Sequence, residues 1–140
     1  MGVTLNIPPG ATGRATLTVG EEHTAARVGS GKIGVLATPV LINLFEAAAL
    51  AACEAALPEG HQSLGTHLDV THTAATPVGM TVTATARVTG MDGRTIRFAL
   101  EARDDIDVIG AGTHDRVVVN VARFDVRVQE KRKKAALDES

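Results

Sequence analysis

The sequence predicts a single α+β domain in which an antiparallel sheet wraps around one long helix. Three observations predict this fold class. Residues 38–57 combine helix start and stop signals with apolar residues around most of the helical circumference. The segments that follow alternate between apolar and polar side chains, and one short strand-like segment precedes the helix. The chain has 140 residues, so we expect one domain over residues 1–130 and a charged tail over 131–140.

The residues before the helix are expected to form one strand between two irregular segments. Residues 1–13 contain prolines and glycines that are typical of loops and turns. Residues 14–20 (RATLTVG) have the pattern of a short strand. Residues 21–36 contain glycines at positions 29, 31 and 34, so we expect a flexible segment that leads into the helix.

The long helix has recognisable ends. Thr38 is expected to be its N-cap and Pro39 its first helical residue, because a hydroxyl side chain and a proline favour these positions. The helix is expected to run to about Leu57 and to be stopped by Pro58 and Gly60. Its length is about 30 Å at 1.5 Å per residue. A helix that is apolar nearly all round is expected to be buried on most sides.

A strand pattern follows directly after the helix. In residues 64–73 alternate side chains place Leu68, Val70 and His72 on one face of a strand. The other face carries the polar side chains of His67, Asp69, Thr71 and Thr73. Pro77 and Gly79 then predict a turn.

The remaining segments also predict strands. Residues 80–88 and 95–103 alternate cleanly, and Asp92-Gly93 between them is typical of a tight hairpin. Residues 108–128 are expected to form a long strand or a bent pair of strands, and the charged tail from Glu130 is expected to fray. A strand, a long buried helix and then about four antiparallel strands match the hot-dog fold, in which a sheet curls round a central helix.

The composition predicts a core of small side chains. The chain has no Trp or Tyr and only three Phe residues. Its core must therefore be built from Val, Leu, Ile and Ala, and small side chains each bury little area at about 25 cal/mol per Å². A protomer of this kind gains stability by burying a second surface, so we expect a homodimer.

Several classes of protein are disfavoured. The net charge of -2 and the scarcity of aromatic residues give no nucleic-acid signal. The apolar run within residues 35–57 is interrupted by polar side chains and is expected to be too polar to span a membrane. The N-terminus lacks a secretion signal, and the single Cys53 has no intramolecular disulfide partner, so we expect a cytoplasmic protein. No His or Cys spacing indicates a metal site, and no cofactor is expected.

A hydroxyl, a carboxylate and an imidazole are the candidate reactive groups. Thr38 lies at a helix N-terminus, where the helix dipole and free N–H groups favour developing negative charge, although capping alone also explains a Thr there. Glu46 lies about 12 Å further along the axis. Its apolar neighbours favour a partly buried carboxylate that acts as a base or nucleophile, and the alternative is a carboxylate on an exposed helix edge.

His72 has two interpretations. It continues the apolar face of Leu68 and Val70, as a histidine packed in a core would. Imidazole is also the side chain best suited to proton transfer near neutral pH. With Thr38 and Glu46 it would supply the groups that acyl transfer requires.

Three stretches of the sequence resemble the fluoroacetyl-CoA thioesterase family of hot-dog proteins. They are ATPVLINLFEAA (37–48), SLGTHLDVTHTAATPVGMTVTATA (63–86) and IGAGTHDRVVVNVARFDVRV (109–128). The blocks VTHTAATP (70–77) and GTHDR (112–116) are long and specific. The resemblance covers about residues 35–130, which is most of the chain.

The resemblance implies an acyl-CoA thioesterase with its active site at a homodimer interface. It implies catalytic roles for Thr38, Glu46 and His72, which occupy the family's Thr, Glu and His positions with matching spacing. It also implies that Gly65 lies near the acyl group and that Arg116 takes part in substrate binding. The fluoroacetyl-specific member has a phenylalanine-rich lid before the Thr, whereas residues 29–37 here (GSGKIGVLA) contain no Phe. We therefore expect hydrolysis of small acyl-CoA thioesters without strict fluoroacetyl specificity.

Other functions remain open on the same fold. Glu46 would act either as a nucleophile that forms an acyl-enzyme or as a base for water. A non-catalytic module that binds acyl-CoA or an acyl effector is the principal alternative, since fold does not determine function. A hydratase-type hot-dog enzyme is a weaker alternative. The active-site helix of that family typically carries an Asp and a nearby His, and residues 38–57 lack that arrangement.

Overall fold

A five-stranded antiparallel sheet packs against one long helix in the computed structural model, which describes residues 5–136. The helices are α1 (Ala25–Val28), α2 (Thr38–Cys53) and α3 (Val121–Lys134). The strands are β1 (Thr12–Thr18), β2 (His61–His72), β3 (Thr81–Asp92), β4 (Thr95–Arg103) and β5 (Val108–Asn120). The α+β fold class and the order of strand, long helix and four strands are confirmed.

The strands lie in the order β1-β3-β4-β5-β2, so β1 and β2 form the two edges of the sheet. The hairpin between β3 and β4 turns at Gly93, whose φ of 61° is accessible to glycine at little cost. In β2 the pairing with β5 shifts between Gly65 and His67, which leaves Thr66 as an extra residue. Because of this bulge, Ser63 faces the same side of the sheet as Leu68 and Val70.

The core lies between α2 and the inner faces of the strands. The helix buries six residues: Leu41, Leu44, Phe45, Ala48, Ala49 and Cys53. The sheet opposes them with the alternate apolar side chains of β3 and β4, among them Val82, Val88, Ile96 and Phe98. At Gly13 of β1 a Cβ atom would overlap backbone atoms of Ala48 and Ala52. A glycine there allows the strand to lie directly against the helix backbone.

The prediction that α2 is buried on most sides is wrong for the single chain. Pro39, Asn43, Ala47 and Ala51 are exposed and recur at helical spacing, so they form one continuous open face. The helix also continues as a 3-10 turn over Glu54–Ala56, close to its expected end. A membrane span was disfavoured on polarity, yet Thr38–Ala56 is long and apolar enough for one, with mean hydropathy 1.4. The criterion is length and composition alone, and the core helix of a folded domain also meets it.

The prediction of strand structure through residue 128 is wrong. Strand β5 ends at Asn120, whose side-chain oxygen accepts the Arg123 N–H at 3.1 Å and caps α3. The alternation in VARFDVRV predicted a strand, but none of the residues of α3 is buried, so no sheet face selects that period. The tail is helical through Lys134 instead of frayed from Glu130, and its last residues, 137–140, lie outside the described part of the chain.

Two predictions about the approach to α2 are also corrected. The N-cap is Ala37, not Thr38, and Thr38 is the first helical residue with its side chain turned to a partner on β2. Residues 21–36 are not a loose segment. They contain α1 and a 3-10 turn, and the Leu36 N–H donates to the Thr76 carbonyl at 2.9 Å.

Candidate active site

The first turn of α2 and the last residue of β2 bring together a hydroxyl and an imidazole. Thr38 Oγ1 lies 2.7 Å from His72 Nδ1, although 34 residues separate them in the chain. The other ring nitrogen, His72 Nε2, is buried and has no hydrogen-bond partner among the described residues. The imidazole therefore interacts with polar atoms of the described chain through Nδ1 only. Thr38 and His72 are called the hydroxyl–imidazole pair below.

Burial keeps His72 neutral. It lowers the pKa of the His72 imidazole, because the charged ring loses hydration inside the protein. A neutral imidazole beside a hydroxyl accepts a hydrogen bond from it or donates one to it, depending on the tautomer, and with Nδ1 unprotonated it can also act as a base.

The hydroxyl–imidazole pair opens onto a cavity of about 340 Å³. One wall is formed by residues 30–33, including Lys32 and Ile33, and another by Ala74 and Ala75. Cavities that bind small molecules start at about this size. Several of the lining residues are small, and the cavity has room for a short acyl group; these residues are Ala25, Ser30, Gly31, Ala74 and Ala75.

A second constellation surrounds Glu46, two turns further along α2. Arg116 on β5 donates from Nη1 to Glu46 Oε2 at 3.2 Å. The same guanidinium donates from Nε to Ser63 Oγ at 2.8 Å and from Nη2 to the Ser63 carbonyl at 3.0 Å. Arg116 is 4% exposed and the Glu46 side chain is 36% exposed, so the carboxylate reaches the surface while its partner does not.

Gly65 and His114 complete this constellation, called the carboxylate cluster below (Glu46, Ser63, Gly65, His114 and Arg116). A Cβ atom at Gly65 would lie 2.8 Å from Glu46 Oε2 and 3.1 Å from His114 Cε1, so a larger residue would press on both side chains. The fully buried His114 contacts Arg116 Nη1 through Nε2 at 3.1 Å. The cluster therefore holds one partly exposed carboxylate in a defined place.

The structure thus brings the predicted site residues together in two groups and not in one. Thr38 and His72 form one group, and Glu46, Gly65 and Arg116 belong to the other. Within residues 5–136 no hydrogen bond joins Glu46 to Thr38 or His72. The two groups are separated by about 12 Å of helix axis.

Sequence reasoning missed Ser63 and assigned no role to His114. The β2 bulge at Gly65 and His67 turns Ser63 toward the helix, and a period-two pattern carries no sign of such a bulge. His114 occurs in the GTHDR block, and that resemblance was the only signal that pointed to its neighbourhood. No group of three potential metal ligands occurs in the part of the chain that the structure describes.

Acid is expected to destabilise the fold through two histidines. Burial lowers the pKa of both His72 and His114 from an ordinary value of about 6.5. Below that pH the unfolded chain binds protons that the folded chain does not, so the free energy of unfolding should fall as the pH falls. Thermal unfolding between about pH 8 and pH 5 measures this, and His72→Gln should flatten the dependence. An unchanged slope in that variant would contradict the assignment.

The chain is similar in sequence to one family of known thioesterases. The model of the fluoroacetyl-CoA-specific thioesterase family matches residues 19–122. A fluoroacetyl-CoA thioesterase from Streptantibioticus cattleyicolor is 43% identical over 97 residues, which are 69% of this chain and 70% of the relative.

Solved structures of thioesterases are similar to the chain in fold. A variant of the fluoroacetyl-CoA-specific thioesterase, solved in complex with fluoroacetate and CoA, has a TM-score of 0.79 and 35% identity. It covers 84% of this chain and 98% of its own. A thioesterase superfamily member from Thermus thermophilus has a TM-score of 0.89 at 24% identity, over 95% of this chain and 98% of its own. At that identity the Thermus protein supports the fold alone.

Proposed function

Since the chain belongs to the fluoroacetyl-CoA-specific thioesterase family, we propose that it hydrolyses short acyl-CoA thioesters to a carboxylate and free CoA. The observation that carries this proposal is the hydroxyl–imidazole pair, which opens onto a cavity of acyl size at a helix N-terminus. Strict fluoroacetyl specificity is not part of the proposal. The cavity wall over residues 29–37 contains no Phe, and the residues it presents are Ser30, Gly31, Lys32, Ile33, Val35 and Leu36.

The two groups of residues supply complementary chemistry. In our proposal, the thioester carbonyl lies beside Thr38, where the N-terminus of α2 favours the negative charge that develops on the oxygen. His72 acts as general acid and base through Nδ1, the ring nitrogen that contacts Thr38. Glu46 attacks the thioester carbon itself or removes a proton from the attacking water, and in both routes the C–S bond breaks and CoA leaves as a thiolate that takes up a proton. In the first route a water then hydrolyses the acyl-enzyme to the carboxylate and free Glu46. Glu46 suits either role because Arg116 holds only Oε2 and the carboxylate remains partly exposed.

The separation of the two groups supports a homodimer with the active site at the interface. Strand β2 is a twelve-residue edge strand with one unpaired side, and α2 has an open face of small residues beside it. A two-fold axis that pairs the β2 strands of two copies would continue the sheet and set the α2 helices antiparallel. The start of one helix would then lie beside later turns of the other. Thr38 and His72 of one subunit would approach Glu46 of the partner subunit.

A cytoplasmic location is proposed with this function. Its support is that Cys53, the single cysteine of the chain, is a buried free thiol, and reduced cysteines are typical of the cytoplasm.

A thiol-release assay tests the proposed activity directly. Acetyl-, malonyl- and fluoroacetyl-CoA are supplied separately, and free CoA is measured with a thiol reagent together with acyl-CoA binding by calorimetry. We expect turnover of short acyl groups, with no strict preference for fluoroacetyl. Binding without thiol release across the panel would overturn the proposal and favour the non-catalytic acyl-CoA module.

Mixing two inactive variants tests the interface site. If each site takes Thr38 and His72 from one subunit and Glu46 from the other, a Glu46→Ala/His72→Ala heterodimer contains one intact site. Random reassortment of equal amounts then restores about a quarter of wild-type activity, because half of the dimers are mixed and each has one working site of two. The mixture is assayed after reversible dissociation, with each variant treated alone as the control. If activity stays at the level of the separate variants, a site shared in this way is excluded.

A further inference from the structure

We propose that His114 is a positioning residue: it fixes the guanidinium of Arg116 and, through it, the carboxylate of Glu46. This inference rests on the proposed function, because it concerns how the reactive carboxylate of the same site is held. His114 lies on β5, is fully buried and stacks on Phe98 of β4, with ring centroids 5.9 Å apart. It is not one of the residues that the sequence or the family resemblance pointed to as catalytic or substrate-binding.

The hydrogen bonds of His114 determine its tautomer. Its Nδ1 lies 2.7 Å from the carbonyl oxygen of His67. A carbonyl oxygen only accepts hydrogen bonds, so Nδ1 carries the proton. Burial and the neighbouring Arg116 charge both lower the pKa of the His114 imidazole, which keeps the ring neutral. Its Nε2 therefore has a free lone pair, and this lone pair accepts the Arg116 Nη1 donor at 3.1 Å.

The Arg116 side chain makes four hydrogen bonds to other described residues. Its contacts are two donations to Ser63, one to His114 and one to Glu46. These use four of the five N–H donors of a guanidinium. A side chain that is 4% exposed and bonded in this way is poorly placed to meet a substrate in the cavity. Its effect on the reaction, in this proposal, passes through Glu46.

In this proposal His114 sets the orientation of the Arg116 guanidinium toward Glu46. Both Nη1 hydrogens of Arg116 need acceptors, and the lone pair of His114 takes one so that the other is aimed at Glu46 Oε2. His114 is itself anchored beside the β2 bulge, because its acceptor His67 follows the extra residue Thr66. Without this acceptor one Nη1 hydrogen of the buried guanidinium has no partner, although the two bonds to Ser63 remain. We expect the Nη1 end of the guanidinium to shift, and the Glu46 carboxylate to shift with it. A displacement of about 1 Å in a reacting group costs about a hundredfold in rate.

Three substitutions separate positioning from simple packing. His114→Gln keeps an acceptor near the Nε2 position, His114→Asn keeps only a donor near Nδ1, and His114→Leu keeps the bulk alone. We expect His114→Gln to retain kcat within about fivefold, and the Asn and Leu variants to lose about thirtyfold or more with little change in KM. His61→Asn is the matched control and should keep wild-type kcat. Among residues 5–136 the His61 ring hydrogen-bonds only to the nearby Glu59 carbonyl.

A packing role predicts a different result. All three variants would then lower thermal stability and leave kcat of the remaining folded enzyme equal to that of wild type. That outcome, or equal losses of kcat in the Gln and Leu variants, would overturn the proposal.

Nitrogen-15 NMR of the whole protein decides the question without an activity assay. We expect the wild-type His114 ring to be protonated at Nδ1 and unprotonated at Nε2. The Arg116 Nη hydrogens should give slowly exchanging signals in wild type and in His114→Gln, and these signals should be lost in His114→Leu. A ring protonated at Nε2 would overturn the proposal. If the wild type hydrolyses no thioester, the proposed function fails, while the NMR result still decides whether His114 orders Arg116.

Discussion

Glu46→Gln should lower kcat for thioester hydrolysis by at least about a hundredfold while the fold stays intact. The amide is neither a nucleophile nor a base, so it cannot attack the thioester or activate water. Its oxygen still accepts the Arg116 Nη1 donor, so the buried guanidinium keeps a partner. The melting temperature should therefore change little. Steady-state thiol release and thermal unfolding measure the two effects. His72→Ala is expected to cost at least about a hundredfold as well, because it removes the proton-transferring group beside Thr38.

Glu54→Gln provides the matched control. Glu54 is an exposed carboxylate that directly follows α2, and its replacement should leave kcat at the wild-type value. Wild-type rates in both Glu46→Gln and His72→Ala would show that the assignment of the site is wrong. Single turnover in oxygen-18 water tests the nucleophilic role of Glu46, since label in its carboxylate shows that water attacked an acyl-enzyme at the Glu46 carbonyl.

Gly65→Ala should lower kcat by about ten- to a hundredfold with a small change in melting temperature. The added Cβ would lie 2.8 Å from Glu46 Oε2, which is closer than a methyl group and an oxygen approach. The Glu46 end is flexible and partly exposed, so the carboxylate rather than the strand should move. Gly65 is not among the described residues with positive φ, so alanine fits the backbone itself. A melting curve beside the kinetic constants separates the loss of alignment from a loss of structure.

Gly90→Ala is the control for this substitution. Gly90 also lies in a strand at a shift of register, but a Cβ there would meet nothing within 4 Å. We expect wild-type kcat and stability from this variant. If Gly65→Ala also keeps wild-type kcat, the exact place of the Glu46 carboxylate does not matter for the reaction, and the role of the carboxylate cluster would have to be abandoned.

Alternation predicted the strands well where one face of the sheet is buried. In β3 and β4 the apolar positions, such as Val82 and Phe98, are the buried ones. The predicted segment 95–103 matches β4, and 80–88 lies within β3 except for Met80. The same kind of alternation failed over residues 121–128, where the structure has a helix with no buried residue. A pattern of period two identifies a strand only when one face of that strand packs against a core.

The candidate site also has a part that the sequence predicted and a part that it did not. The residue types suggested Thr38, Glu46 and His72, and the position of Thr38 at the start of a helix was nearly correct. Its side chain was expected to cap the helix and instead contacts His72. No local rule relates Thr38 to a residue 34 positions away, since that contact depends on where β2 ends beside α2.

The amino-acid sequence by itself determined the order of the long helix and the five strands, the apolar face of each central strand and the reactive groups that the chain carries. These follow from local propensity and from the periodicity of burial, which act over a few residues. Only the tertiary structure decided which polar groups meet: Thr38 with His72, and Arg116 with Ser63, His114 and Glu46. The physical reason is that these hydrogen bonds join distant segments, and a single bulge in β2 changes which side chains face the helix.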